Sequence, residues 1–164
     1  MIPSMLLRKF GICVSLIAAL GLATFASTAS AQANGAQTIT QVGNGVQIMP
    51  TPNPCTRVPG TLTVTFKDIF HLTVNATGGE EATLAITGSA LFVPDDPNQP
   101  TYTGRFTLLF GHEINLQNEV ERKTSNIEAV GSDGSRLNFH ENADVTMNAN
   151  GVVTVSFDKH LSCV

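Results

Sequence analysis

The stretch TLTVTFKDIFHLTV, residues 61–74, decides the fold. Leu62, Val64, Phe66, Phe70, Leu72 and Val74 share even parity, while Thr61, Thr63, Thr65, Lys67, His71 and Thr73 hold odd positions. Successive side chains of an extended chain point to opposite sides, so a period of two over this length predicts a strand with one buried face. The Ala76-Thr77-Gly78-Gly79 that follows is turn chemistry, with Gly79 expected in the left-handed conformation after a type I turn. Folding back from that turn sets Val74 against Ala82, Leu72 against Leu84 and Phe70 against Ile86, which matches apolar residues on one face.

The same alternation continues toward the C-terminus. A second strand from Glu81 to Val93 ends at Pro94-Asp95-Asp96-Pro97-Asn98-Gln99-Pro100, a loop with too many prolines to be ladder. A third carries Tyr102, Phe106, Leu108, Phe110 and Ile114 on one parity, and pairing Phe92 with Tyr102 places Gly88 opposite Phe106, whose ring fills the gap. Residues 119–130 read as the fourth strand, whose mostly charged start Glu119-Val120-Glu121-Arg122-Lys123 reads as a solvated edge or bulge. After a turn at Gly131-Ser132-Asp133-Gly134-Ser135, the residues Leu137, Phe139, Ala143, Val145 and Met147 alternate with polar ones. Asn148-Ala149-Asn150-Gly151 fits a type I turn with a glycine bulge, pairing Asn148 with Val152, Met147 with Val153, Val145 with Val155 and Ala143 with Phe157.

Six strands in up-and-down order put Cys55 and Cys163 at the same end of the sheet. A disulfide needs Cα atoms within about 7 Å, so the first and last strands must approach each other. The expected fold is all-β: an antiparallel up-and-down meander closing into a small β-barrel of six to eight strands, with a β-sandwich as the alternative. In the chain-entropy model, closing a loop of this length stabilises by ~4 to 5 kcal/mol.

Upstream, Arg8 and Lys9 precede an apolar run from Phe10 to about Phe25 and the small-residue sequence Ala29-Ser30-Ala31, which reads as a signal peptide over residues 1–31. Cleavage is expected after Ala31 or after Ala33, leaving no stable membrane anchor and a secreted or periplasmic protein. Residues 32–54 read as a flexible leader rich in Pro, Gly and Asn, in which Ile39, Val42, Val46 and Ile48 make one extra strand an alternative. Residues 55–164 read as a single β domain. Loss of Arg8 and Lys9 from nine Lys and Arg leaves seven against 13 Asp and Glu, so the formal charge moves from -4 to -6. That balance excludes nucleic acid and anionic membrane as expected partners, since both reward clustered cations.

Polar residues at inward positions are the first candidates for chemistry: Asp68, His112, Glu141 and Lys159. The last hairpin register sets Glu141 opposite Lys159, so a cross-strand ion pair is expected there, either structural near a barrel mouth or the polar floor of a ligand cavity. On the other face His140 lies across from His160, a weak Zn²⁺ or Cu²⁺ pair with His71 the nearest third ligand. Asp95, Asp96 and Asn98 lack the spacing of a calcium loop. Nucleophile elbows, His-Glu-x-x-His pairs, phosphate loops and Cys-x-x-Cys motifs do not occur, so no cofactor is expected and a catalytic role is not favoured. Asn75-Ala76-Thr77 matches a glycosylation acceptor.

Two functional expectations remain from different classes. One is an exported non-catalytic barrel whose interior, lined by Phe66, Phe70, Phe106, Phe110, Phe139 and Phe157, holds a small apolar molecule. The other is an extracellular or cell-surface interaction module that meets another macromolecule through its Thr- and Asn-rich outer face and its proline loop. A small barrel isomerase or lyase using Asp68, Glu141 or His112 is the third.

Overall fold

The computed structural model describes residues 26–33, 35–115 and 117–164, the first of these segments by its backbone alone. Its strands are β1 (Ala26–Ala33), β2 (Ala36–Pro52), β3 (Pro59–Val74), β4 (Glu80–Pro94), β5 (Tyr102–Ile114), β6 (Asn118–Gly131), β7 (Arg136–Asn148) and β8 (Val153–Cys163). The seven strands from β2 to β8 form one antiparallel meander, with β1 added along the Ala36–Val42 part of β2. The described residues are therefore all-β with one sheet, which excludes the two-sheet sandwich. The apolar run expected as the signal core lies outside the described residues, and cleavage at either expected site would remove most or all of β1.

Barrel closure is not observed. The sheet order runs from β1 to β8 with no pairing between its ends, so the sheet is curled and open. Alternation fixes each strand's inner face, whereas closure depends on tilt and curvature summed over all strands, and Val153, Val155, Phe157 and Leu161 of β8 keep the alternation of a barrel strand but remain exposed at the unpaired edge. A disulfide can bring two strand ends together at one point without forming a ladder between them.

The Cys55–Cys163 disulfide is present, with Cα atoms 6.0 Å apart. Cys55 sits in the loop between β2 and β3, and buried Asn53 shapes that loop. The Asn53 side-chain carbonyl accepts from the backbone N–H of Cys55 at 2.8 Å and of Thr56 at 3.2 Å, and the Arg57 N–H donates to the Asn53 carbonyl. The loop thereby tethers the last strand, and a core of Phe92, Tyr102 and Leu137 forms beside it, packed by Cys55, Leu62, Ile127, Ala129 and Phe139.

Most of the expected registers agree with the sheet, including Phe92 with Tyr102, Gly88 with Phe106 and the whole final hairpin. The hairpin of β3 and β4 differs by two residues: Val74 pairs Glu80, Leu72 pairs Ala82 and Phe70 pairs Leu84. Asn75 is the cause. Its side-chain oxygen accepts from the Thr77 and Gly79 N–H groups, tightening the turn so that Gly78, not Gly79, takes the left-handed conformation at φ 84°. Residues 118–131 form the expected strand, and its charged start is paired on both sides rather than lying at an edge; of the two alternatives for the leader, residues 36–52 take the strand, as β2.

Strand pairing aligns side chains of the concave face into rows. One row runs Gly43, Asp68, Ile86, Leu108, Ser125, Glu141, Lys159 from β2 to β8. Next to it, on the disulfide side, run Gly45, Phe66, Gly88, Phe106, Ile127, Phe139 and Leu161. In that second row the Phe66 ring lies over Gly45 and the Phe106 ring over Gly88, so two glycines let large rings lie flat on the sheet.

Candidate functional site

Between the concave face and the Asn53–Cys55 loop lies a cavity of about 380 Å³. Its walls are Met49, Leu62, Val64, Phe66, Ile86, Ala90, Phe92, Phe106, Leu108, Ile127, Ala129, Leu137 and Phe139, with Gln47, Thr51, Asn53 and Tyr102 as the polar exceptions. The Tyr102 hydroxyl is already bonded to the Ser135 hydroxyl at 2.9 Å. Such a volume with few polar groups is the ordinary form of a small-molecule seat.

The cavity explains why only part of the expected aromatic lining is used. Phe66, Phe106 and Phe139 line it, together with Phe92. Phe70, Phe110 and Phe157 share the concave face but lie in the next row beyond the one holding Asp68 and Lys159, away from the disulfide. Parity assigns a side chain to a face, whereas depth along the strand decides whether the loop roofs it over.

The row bordering the cavity holds three of the four inward polar residues. Glu141 and Lys159 are register partners, but the ion pair is a different one: the Lys123 ammonium bonds the Glu141 carboxylate at 2.6 Å. Lys123 stands one row over on β6, diagonal to Glu141, in a charged segment whose Glu119 and Glu121 share its inward parity. Lys159 instead lies over the Phe139 ring, with Nζ 5.3 Å from the centroid. Asp68 covers Gly43, where even a Cβ would meet its carboxylate, and its Oδ1 is buried without a hydrogen-bond partner. A buried oxygen in that condition costs about 1 to 3 kcal/mol.

His112 lies two rows farther toward the Thr77–Gly79 turn, apart from Asp68, Glu141 and Lys159. Its Nε2 is 3.0 Å from the Glu119 carboxylate, and Glu121 completes a group whose donor atoms all lie within 4.8 Å of one another. Sequence reasoning missed Glu119 and Glu121. The tight Asn115–Asn118 turn, which sets His112 against Glu121 and Ile114 against Glu119, was the signal that could have found them.

Two of the three outward histidines make side-chain hydrogen bonds. His140 and His160 are register partners, but His140 Nδ1 bonds the Asn126 side-chain oxygen, and its Nε2 accepts from Asn142 Nδ2 at 2.8 Å. Both ring nitrogens of His140 are thus hydrogen-bonded. His71 bonds Thr40 Oγ1 through Nδ1 at 2.8 Å. Asp96 and Asn98 serve their own turn, where the Asp96 carboxylate accepts from the Asn98 N–H at 3.0 Å. A second recess of about 390 Å³ between the Asn75–Gly79 and Asn115–Asn118 turns is lined by polar side chains.

No family model matches the sequence, no curated protein matches it, and no solved structure matches its fold. The functional reading therefore rests on the cavity and the charges beside it.

Proposed function

We propose that the chain is an exported, non-catalytic carrier that holds a small apolar molecule between its curled sheet and the Asn53–Cys55 loop. The observation that carries this reading is the cavity of about 380 Å³ walled by Phe66, Phe106, Phe139 and aliphatic side chains. Burying apolar surface is worth roughly 25 cal/mol per Å², so a seat of this kind binds through the ligand's apolar area. The disulfide is compatible with an oxidising compartment, which supports export.

The test is non-denaturing mass spectrometry of the protein from its own exported fraction, compared with the denatured mass of the same sample. An excess mass that disappears on denaturation, and is absent from an Ala129→Phe variant that fills the cavity, is the expected result. A bare mass in the native protein, together with failure to take up any alkyl compound, overturns the carrier.

The second reading is an extracellular interaction module. Val46 and Ile48 favour it, being 64% and 68% exposed on the convex side of β2. Retention of a partner protein that is lost in a Val46→Lys, Ile48→Lys variant would support that reading.

A further inference from the structure

We infer that the cavity's ligand is an anionic amphiphile, an alkyl chain ending in a carboxylate, and that Lys159 of β8 binds its head. The inference rests on the carrier reading and adds the chemical class of the cargo.

Lys123, Glu141 and Lys159 stand together on the concave side of β6, β7 and β8, and the Glu141 carboxylate is committed to Lys123 at 2.6 Å. Among the described residues the ion pairs are His112–Glu119, Arg122–Asp144 and Lys123–Glu141, and Lys159 belongs to none of them. One inward cation is left over. Asp68 occupies the same row, and no ion pair joins it to Lys159.

Position ties this charge to the cavity. Lys159 Nζ lies 5.3 Å from the centre of the Phe139 ring, and Phe139 is a cavity wall. Leu161, two residues farther along β8, is the register partner of Phe139. A chain lying against Phe139, Ile127 and Phe106 thus ends beside an ammonium at the open edge of the sheet. Lys159 is exposed, so a carboxylate head stays hydrated there while its tail is buried, which avoids the cost of taking a charge into an apolar interior. A cationic head would meet the unpaired Lys159 ammonium, and a neutral head would gain nothing from it.

The test is calorimetric titration of the full disulfide-bonded protein at neutral pH with octanoate, octanol and octyltrimethylammonium. Lys159→Met is the probing variant, and Lys67→Met removes one charge from the convex face as the control. The wild type and the control should bind octanoate about five- to tenfold more tightly than octanol, as expected for one half-solvated charge contact, and octyltrimethylammonium more weakly than either. Lys159→Met should lose that preference while binding octanol unchanged, and added salt should erode it in the wild type. Equal affinity for octanoate and octanol, or a preference that survives in Lys159→Met, overturns the anionic head and leaves the apolar carrier standing. Binding of none of the three compounds removes the carrier and the head group together.

Discussion

The two halves of the concave face share one alternation and end in different states. On the disulfide side of the Gly43-to-Lys159 row, Phe92, Tyr102 and Leu137 are buried beneath the Asn53–Cys55 loop. On the other side, Phe70, Phe110 and Phe157 share a row, yet Lys123 stands among them and Phe157 is 61% exposed. The residue types are comparable and the strands are the same. What differs is a short loop, ordered by one buried asparagine and pinned by one disulfide. Alternation makes a face apolar, but a core exists only where something covers that face.

The largest expected effect follows from removing the pin. A Cys55→Ser, Cys163→Ser variant should lose about 3 to 5 kcal/mol, the range for a closed loop of this length. Urea unfolding of oxidised wild type and variant measures it. The loss should appear in hydrogen exchange first at the Leu62, Phe92, Tyr102 and Leu137 amides. If those amides stay protected while the Phe110 and Phe157 region opens, the disulfide half is not the half that the loop organises.

Next is Glu141→Ala, which strands Lys123 beside an apolar wall. The Glu141 side chain is 11% exposed and that of Lys123 is 33%, so part of the pair's value is screened. A destabilisation of about 2 to 3 kcal/mol is expected. A Glu141→Gln variant that recovers less than half of the loss in Glu141→Ala would show that the charge, rather than the hydrogen bond, holds the border of the cavity.

How much of this was legible depended on whether the governing interaction was local. The last hairpin was readable residue by residue, because Asn148 and Gly151 specify the turn and the turn specifies the register. The β3–β4 hairpin kept its parity but slipped by two, because the bonds made by the Asn75 side chain are not visible in apolar pattern. β2 was faint for a different reason. Its exposed valine and isoleucine, Val46 and Ile48, lie on the convex side, while Gly43, Gly45 and Gln47 face inward, so no buried periodicity exists to be read. In β6 the inward Lys123 finds its anion on another strand, and only the assembled sheet joins them. Openness was the least legible property, since closure depends on curvature summed over every strand. Of the candidate site, the sequence located the concave polar residues and three of its phenylalanines, but not the loop that makes a cavity of them.

A third effect sharpens the comparison inside the buried half. A Cβ added at Gly88 would stand 2.2 Å from the Thr65 carbonyl oxygen and 2.9 Å from the Phe106 ring. The ring can tilt but the backbone cannot, so Gly88→Ala should cost about 1 to 3 kcal/mol in chemical denaturation. Gly111→Ala on β5 meets nothing within 4 Å and provides the contrasting variant, with little or no loss expected. Equal losses at the two positions would mean that the close packing of rings on glycines does not set the stability of this half.

The smallest effect concerns the Gly131–Ser135 turn, which supports the same half through Tyr102. The Ser135 side chain bonds the Asp133 carboxylate at 2.6 Å and the Tyr102 hydroxyl at 2.9 Å. The hydrogen bonds from the Ser135 hydroxyl and backbone N–H hold the Asp133 carboxyl below its ordinary value of 3.8. A carboxyl whose folded value is depressed adds stability that is present above its unfolded value and disappears as pH falls through the folded one. Acidification from the ordinary carboxylate range downward should therefore erode wild-type stability slightly more than that of Asp133→Asn, whose amide oxygen still accepts the Ser135 bonds. The urea midpoints of the two proteins should converge at the acid end of the series and separate above it. A constant separation at every pH would instead assign the turn's contribution to shape alone and detach its charge from the support of Tyr102.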